Sequence, residues 1–154
     1  MQTPDTARLS MLVELKVSLL ERLVEIGRAQ LDMIDDDDYT RLLQLLGVKQ
    51  RVLGGLQDVE RAMTPFRDED PETRVWSNNV ERRRCRENLD RCEALLGMIM
   101  DQERTSETRM VDRRDVTAAE LRHLQQATDA HAGYSGGEWN ETRNISQLDL
   151  ASEV

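Results

Sequence analysis

The scarcity of helix-breaking residues is the feature of this chain that most constrains its fold. The sequence contains 3 prolines, at positions 4, 65 and 71, and glycines 133, 136 and 137 follow the last stretch of regular apolar spacing. Proline removes a backbone donor and clashes with the preceding helical turn, whereas glycine commonly follows a helix C-terminus. The long segments between these marks are therefore free to be helical, and the sequence predicts an all-α chain.

The first segment, about Thr6 to Ile34, carries apolar residues at steps of three and four. Two neighbouring rows are present: Leu9, Leu12, Leu19, Leu23, Ile26 and Met33, and Val13, Val17, Leu20, Val24, Leu31 and Ile34. So wide an apolar face predicts a helix that contacts two others. The acidic run from Asp35 to Asp38 suits a turn and the N-terminus of the next helix, where carboxylates cap free N–H groups.

The second segment, about Tyr39 to Met63, has the most regular pattern. Successive a and d positions of a heptad repeat are Leu42, Leu45, Lys49, Val52, Leu56, Val59 and Met63, and Lys49 is the one polar member. This seam predicts a helix that returns along the first in an antiparallel hairpin. A polar turn is predicted from Thr64 to Pro71.

The third segment, about Glu72 to Ala132, has an apolar face that begins at Val75 and Trp76 and fades over residues 101–115. A continuous helix of this length would extend roughly 90 Å, more than twice the length of either partner, so a break is predicted. The part after the break either extends past the bundle or folds back as a fourth helix. The complete prediction is an antiparallel three-helix coiled-coil bundle over residues 1–132, with a long third helix that is either broken or continuous, and a disordered, flexible C-terminal tail over 133–154.

The charge balance bears on the choice of partner. The chain has 21 basic and 30 acidic residues, a net charge of -9, which disfavours nucleic acid by long-range repulsion. The basic cluster Arg82, Arg83, Arg84 and Arg86 is interleaved with acids, so it is interpreted as a solvated ion-pair face, with a polar docking patch for a partner as the alternative.

The N-terminal sequence and the hydropathy indicate a cytoplasmic protein. No stretch reaches 18 apolar residues and MQTPDTARLS lacks a basic region leading into an apolar one, so neither a membrane span nor a signal peptide is predicted. Cys85 and Cys92 are seven residues apart on one predicted helix, roughly 10 Å, and are expected to be reduced and buried.

The chain has few residues suited to catalysis. Glu120 and His123 match the Glu-x-x-His pair of di-metal carboxylate bundles, but that site needs a second copy, which the sequence lacks. A phosphate-binding glycine loop, a Cys-x-x-Cys pair and a serine nucleophile elbow are also missing from the sequence. We therefore expect a non-enzymatic protein with no metal and no other cofactor.

A late apolar stripe is the most suggestive feature. It comprises Val116, Leu121, Leu124, Ala127 and Tyr134, which a polar stretch separates from the main pattern. A helix that cannot bury such a face within its own chain is able to bury it on another protein. Ordinary packing as a fourth helix is the alternative.

The arrangement resembles the FlgN family of flagellar type III export chaperones. The similar features are a leucine-rich first helix, the acidic step from Asp35 to Tyr39, the sequence LLQLLGVKQRVLGGLQDVE, and a small-residue helix that leads into Tyr134 and Gly137. In the second helix Leu42, Leu43, Lys49, Leu53 and Leu56 fit the family's cadence. The similarity covers about Leu9 to Gly137.

The resemblance implies a cytoplasmic chaperone that binds an amphipathic helix of a hook-filament junction protein. Its binding region in the family is the C-terminal helical part, which here corresponds to Val116, Leu121, Leu124, Ala127 and Tyr134. The long polar stretch before that region and the extra residues after Gly137 are departures from the family pattern. The alternative function is a structural or regulatory coiled-coil adaptor, a homodimer joined through the seam of its second helix.

Overall fold

The computed structural model describes residues 5–134 and consists of three α-helices. These are α1 (Thr6–Asp35), α2 (Tyr39–Arg67) and α3 (Asn79–Tyr134), with a short 3-10 turn, Pro71–Thr73, between the last two. The predicted all-α helical bundle is confirmed. Residues 135–154, which make up most of the predicted tail, lie outside the described residues.

Acidic and amide side chains begin the helices, as the sequence predicts for the acidic run. Asp5 accepts from the backbone N–H of Ala7 at 2.9 Å, and Asp38 accepts from that of Arg41 at 3.2 Å. Asn78 does the same for α3, since its Oδ1 accepts from the N–H of Glu81 at 2.8 Å. These bonds satisfy backbone donors that have no partner within the helix.

The predicted polar turn from Thr64 is wrong in its first half, because α2 continues through Pro65 to Arg67. Phe66 explains the extension: its side chain is buried beside Met63 in the core. A proline costs a helix one hydrogen bond and some distortion, and burial of an aromatic ring offsets a cost of that size.

Residues 68–78 connect α2 to α3 and close one end of the bundle. Arg74 holds this connection in place, with Nε 2.5 Å from a carboxylate oxygen of Glu69 and Nη2 2.7 Å from the carbonyl oxygen of Phe66. The hydroxyl of Thr6 donates to the carbonyl oxygen of Val75 at 2.9 Å. Val75 and Trp76 were expected on the third helix, but they precede it.

The core consists of two clusters stacked along the bundle. The first joins Leu9, Leu12 and Val13 of α1, Val59, Met63 and Phe66 of α2, and Cys85 of α3. The second joins Leu20, Leu23, Val24 and Ile26 of α1, Val52 of α2, and Cys92 and Leu95 of α3. The predicted wide face of α1 is confirmed, because it supplies residues that contact both other helices.

Ion pairs between helices give the direction of each one. Lys16 of α1 pairs with Glu60 of α2 at 2.6 Å, and Gln30 of α1 contacts Lys49 of α2 at 3.3 Å. Residue numbers rise along α1 as they fall along α2, so the two helices are antiparallel. Glu14 of α1 lies 3.5 Å from Arg84 of α3, and Glu21 lies 3.8 Å from Arg91. Residue numbers rise together in these last pairs, so α3 runs parallel to α1 in an up-down-up bundle.

The predicted break in the third segment is wrong, because α3 is one helix of 56 residues. Its polar stretch is helical, so the backbone N–H and C=O groups there form hydrogen bonds within the helix. An ion pair between Asp101 and Arg104, at 3.5 Å, stabilises one turn of it. The chain nevertheless divides between Met110 and Val111 into two compact units. No helix within residues 5–134 has an apolar stretch able to cross a lipid bilayer.

Candidate partner-binding surface

The late part of α3, from Val111 onward, presents the predicted apolar stripe to solvent. Val116, Leu121 and Leu124 are 51%, 61% and 65% exposed, and Ala127 is exposed as well. Leu121 and Leu124 are three residues apart and Ala127 follows after three more, so these side chains lie on adjoining strips of one helix surface. Tyr134 ends α3, and its side chain lies outside the described residues.

The two parts of α3 differ in how they use their apolar residues. The part before Val111 buries Cys85, Cys92 and Leu95 in the two core clusters. In residues 111–133 no side chain is buried. Because α3 is one helix from Asn79 to Tyr134, the described residues contain no separate fourth helix.

The heptad seam of α2 lies inside the bundle. Leu42, Val52, Val59 and Met63 are buried, and Leu45 and Leu56 pack against the second core cluster. The predicted seam is confirmed as a packing surface, and it is covered by residues of the same chain. The adaptor hypothesis assigned homodimerisation to these residues, which are not exposed.

Polar side chains from all three helices meet beyond the second core cluster. Lys49, the polar member of the seam, donates to Oε1 of Gln30 at 3.3 Å and pairs with Glu103. Gln102 Nε2 donates to the carbonyl oxygen of Val24 at 3.0 Å. Among the described residues, Gln102 Oε1 and the Ser106 hydroxyl are buried with no hydrogen-bond partner. This layer favours one alignment of the three helices, since any shift separates Lys49 from its partners.

The two cysteines occupy the core. Burial raises the pKa of the Cys85 thiol, although a hydrogen bond with Ser10 and the charge of Arg74 oppose that rise. Burial also raises the pKa of the Cys92 thiol, against the charge of Lys16. Reactive cysteines need a thiolate and access to solvent, so these two resemble packing residues.

Glu120 and His123, the residues considered for a metal site, do not belong to a group of metal-ligating side chains in residues 5–134. Within the described part of the chain, no group of three or more His, Cys, Asp or Glu side chains is close enough to share a metal ion. Glu120 and His123 both lie on the exposed part of α3.

Arginines of the basic cluster have acidic partners on other elements. Arg84 pairs with Glu14 of α1, and Arg82 lies 3.9 Å from Glu72 in the 3-10 turn. The ion-pair interpretation of this cluster therefore applies to contacts between α3 and other elements.

A second row of residues, part exposed and part half-buried, follows the outer side of α2, and the sequence prediction did not identify it. It comprises Tyr39, Leu43, Leu46, Gln50, Leu53 and Gln57, and we call it the outer α2 row. Its members are spaced by four and three residues in alternation, as in the buried seam. The outer α2 row could have been predicted from its heptad spacing. The buried seam beside it is more apolar, and that seam alone was sufficient to predict the helix.

Comparisons of the chain with protein-family models, with curated proteins and with solved structures give no match. The function proposed below therefore depends on the geometry of these surfaces and on the resemblance of the sequence to the FlgN family.

Proposed function

We propose that this protein is a non-enzymatic cytoplasmic chaperone of flagellar type III export. Its client is a hook-filament junction protein, and it binds an amphipathic helix of that client through Val116, Leu121, Leu124, Ala127 and Tyr134. The resemblance to the FlgN family supplies the class of client. The exposed stripe on α3 is an apolar surface of the kind that binds the apolar face of an amphipathic helix.

The exposure of Leu121 and Leu124 is the observation that carries the proposal. Single exposed leucines are common on protein surfaces and need no partner. Here two of them share one side of a helix with Val116 and Ala127, and none has a core to join in residues 111–133. Anchors at such helical spacings are the ones by which one amphipathic helix binds another.

Binding a client helix would bury the apolar faces of both partners together. Complete burial of a leucine side chain contributes about 2 kcal/mol, so covering the exposed part of Leu121 and Leu124 contributes about 2–3 kcal/mol for the pair. The client's own apolar face would be masked in the same step, which prevents it from assembling with other copies before export. The proposal thus assigns the chaperone effect to occupancy of one helix face.

A direct binding experiment tests this proposal. The full chain is titrated, by calorimetry, with each purified hook-filament junction protein encoded in the same genome. A double variant, Leu121→Asp with Leu124→Asp, is compared with a matched double variant on α1, Met11→Asp with Leu15→Asp, whose side chains are also exposed. Circular dichroism verifies that each variant keeps its helical content.

We expect the wild type and the α1 variant to bind one junction protein equally, and the α3 variant to bind it at least thirtyfold more weakly, the ratio that about 2 kcal/mol produces. An α3 variant that binds as tightly as the wild type, or an equal loss in both variants, would contradict the assignment of binding to the stripe. Failure of the wild type to bind any junction protein would contradict the proposed client class.

A further inference from the structure

The outer α2 row has a chemistry that is unusual for the surface of this chain. All six members are uncharged, in a sequence with 33% charged residues. Leu43 is 71% exposed, and Tyr39, Gln50 and Gln57 are exposed. Leu46 and Leu53 are half-buried, and Leu53 also contacts the second core cluster. The row therefore forms an uncharged, partly apolar strip along α2, opposite in character to the charged faces elsewhere.

The surface next to this row can admit another helix. A groove on the same side of α2 is lined by Gln50, Leu53, Leu56, Gln57, Glu60 and Arg61. Gly47 and Gly54 lie beside the row, and a Cβ atom built at either one meets nothing within 4 Å. The small residues leave the backbone open along that edge, so a neighbouring helix can approach it closely.

We propose that the outer α2 row binds the outer α2 row of a second copy of this chain, with the two α2 helices antiparallel. This arrangement pairs each row member with another row member. Leu43 lies opposite Leu53 of the second copy, Leu46 opposite its Gln50, and Tyr39 opposite its Gln57. The interface is self-complementary, as a two-fold dimer requires.

Charge selects both the partner and the orientation. Each copy carries a net charge of -9, so two copies can approach only where charge is low or opposite in sign. The acidic corner Asp35–Asp38 directly precedes the row, and Arg61 lies one turn beyond its other end. Antiparallel pairing brings each Arg61 towards the acidic corner of the other copy, whereas parallel pairing brings the two acidic corners together.

Arg61 is available for such a contact. Its side chain is 80% exposed, and its ion pair with Asp58 is long, at 3.9 Å. Exposed ion pairs contribute little individually, so Arg61 is expected to orient the dimer more than to stabilise it.

The small size of the row indicates a dimer with a high dissociation constant. The row covers about five turns of helix, or roughly 27 Å. A strip of that length on a single helix buries less surface than the roughly 800 Å² per partner of a standard-size interface. We therefore expect a concentration-dependent dimer with a dissociation constant of the order of 10–100 μM, in the range of weak and transient interfaces.

Sedimentation equilibrium of the full chain from 5 to about 500 μM tests the proposal, a range chosen to bracket that constant. Leu43→Asp places a charge in the row without disturbing the core, and it is expected to raise the dissociation constant at least tenfold. Met11→Asp, at an apolar position on α1 that is 63% exposed, is the matched control and should dimerise like the wild type. A wild type that stays monomeric throughout, or a dimer that Leu43→Asp leaves intact, would overturn the proposal.

A cross-linking experiment tests the antiparallel orientation. Leu43→Cys and Leu53→Cys variants are oxidised separately and as an equal mixture, since the native Cys85 and Cys92 are buried. In the antiparallel dimer residues 43 and 53 of different copies lie opposite each other, while two copies of residue 43 are about 15 Å apart along the axis, beyond disulfide reach. The mixed disulfide should therefore dominate. Preferential linkage of Leu43→Cys to itself would refute the orientation.

The dimer and the proposed chaperone function can fail separately. The Leu121→Asp with Leu124→Asp variant should dimerise like the wild type, because both residues lie outside the outer α2 row. A dimer disrupted by that variant would contradict the assignment of the interface to α2.

Discussion

Replacing Gly27 by alanine tests how closely α3 packs against α1. A Cβ atom at this position would overlap Oε1 of Gln102 and lie 2.6 Å from its Cδ. The amide lies there because its Nε2 donates to the carbonyl oxygen of Val24, at 3.0 Å. Gly27→Ala therefore forces the end of the Gln102 side chain out of the space between the two helices.

The expected effect on the free energy of unfolding is the balance of three contributions. Alanine in a helix interior is favoured over glycine by about 1 kcal/mol. The displaced amide loses a hydrogen bond worth about 1 kcal/mol, and overpacking costs about 1 kcal/mol more, the low end of its range because the side chain is flexible. Gly27→Ala should thus lower the free energy of unfolding by about 1 kcal/mol in the wild type, as the sum of these terms.

Removal of the obstacle should reverse the sign. In a Gln102→Ala background the three atoms nearest the methyl group are absent, and Gly27→Ala should raise the free energy of unfolding by about 1 kcal/mol through helix propensity. The coupling between the two positions is then about 2 kcal/mol, which is typical of residues in direct contact.

Urea denaturation followed by circular dichroism at 222 nm measures all members of this cycle. Gly97→Ala is the control, because Gly97 is exposed on α3 and has nothing within 4 Å of a built Cβ. It should stabilise both backgrounds alike. If the effect of Gly27→Ala is the same in the two backgrounds to within about 0.5 kcal/mol, the packing argument is refuted.

Two further predictions concern the core and the exposed stripe. Leu95→Ala should lower the free energy of unfolding by about 2–5 kcal/mol, because Leu95 is fully buried. Leu121→Ala should change it by less than about 0.5 kcal/mol, because Leu121 is exposed. Similar losses for the two variants in urea denaturation would contradict the burial pattern. Burial raises the pKa of the Cys85 and Cys92 thiols, so the unfolded chain releases these protons more readily than the native one. These groups should not affect the free energy of unfolding below about pH 8, and it should fall as the pH rises past the ordinary thiol pKa of about 8.5. The fall should be less steep in a Cys92→Val variant. A free energy of unfolding that increases in this pH range would contradict the prediction.

Periodicity in the sequence was sufficient for much of the fold. The bounds of α1, the start of α2 and the inward seam of α2 follow from apolar spacing, because a 3.6-residue repeat determines which side chains share a face. The acidic run from Asp35 to Asp38 likewise predicted a turn and a capped helix, since its chemistry acts on the nearest backbone groups. The apolar stripe on late α3 was also visible, although its exposure was not.

Contacts between distant residues explain where the sequence prediction was wrong. Pro65 indicated the end of a helix, but burial of Phe66 extends α2 past it. Trp76 was assigned to α3, but it packs against the first core cluster from the connection before that helix. Local propensity is worth a few tenths to a few kcal/mol, and burial of one large side chain is able to outweigh it.

By itself the sequence determined that the chain is helical and which face of α1 and α2 turns inward, because both follow from the spacing of neighbouring residues. Only the tertiary structure decided which apolar rows stay exposed. The buried seam and the outer α2 row have the same alternating spacing, and α1 and α3 cover one of them. Exposure depends on what the rest of the chain covers, and no local pattern contains that information.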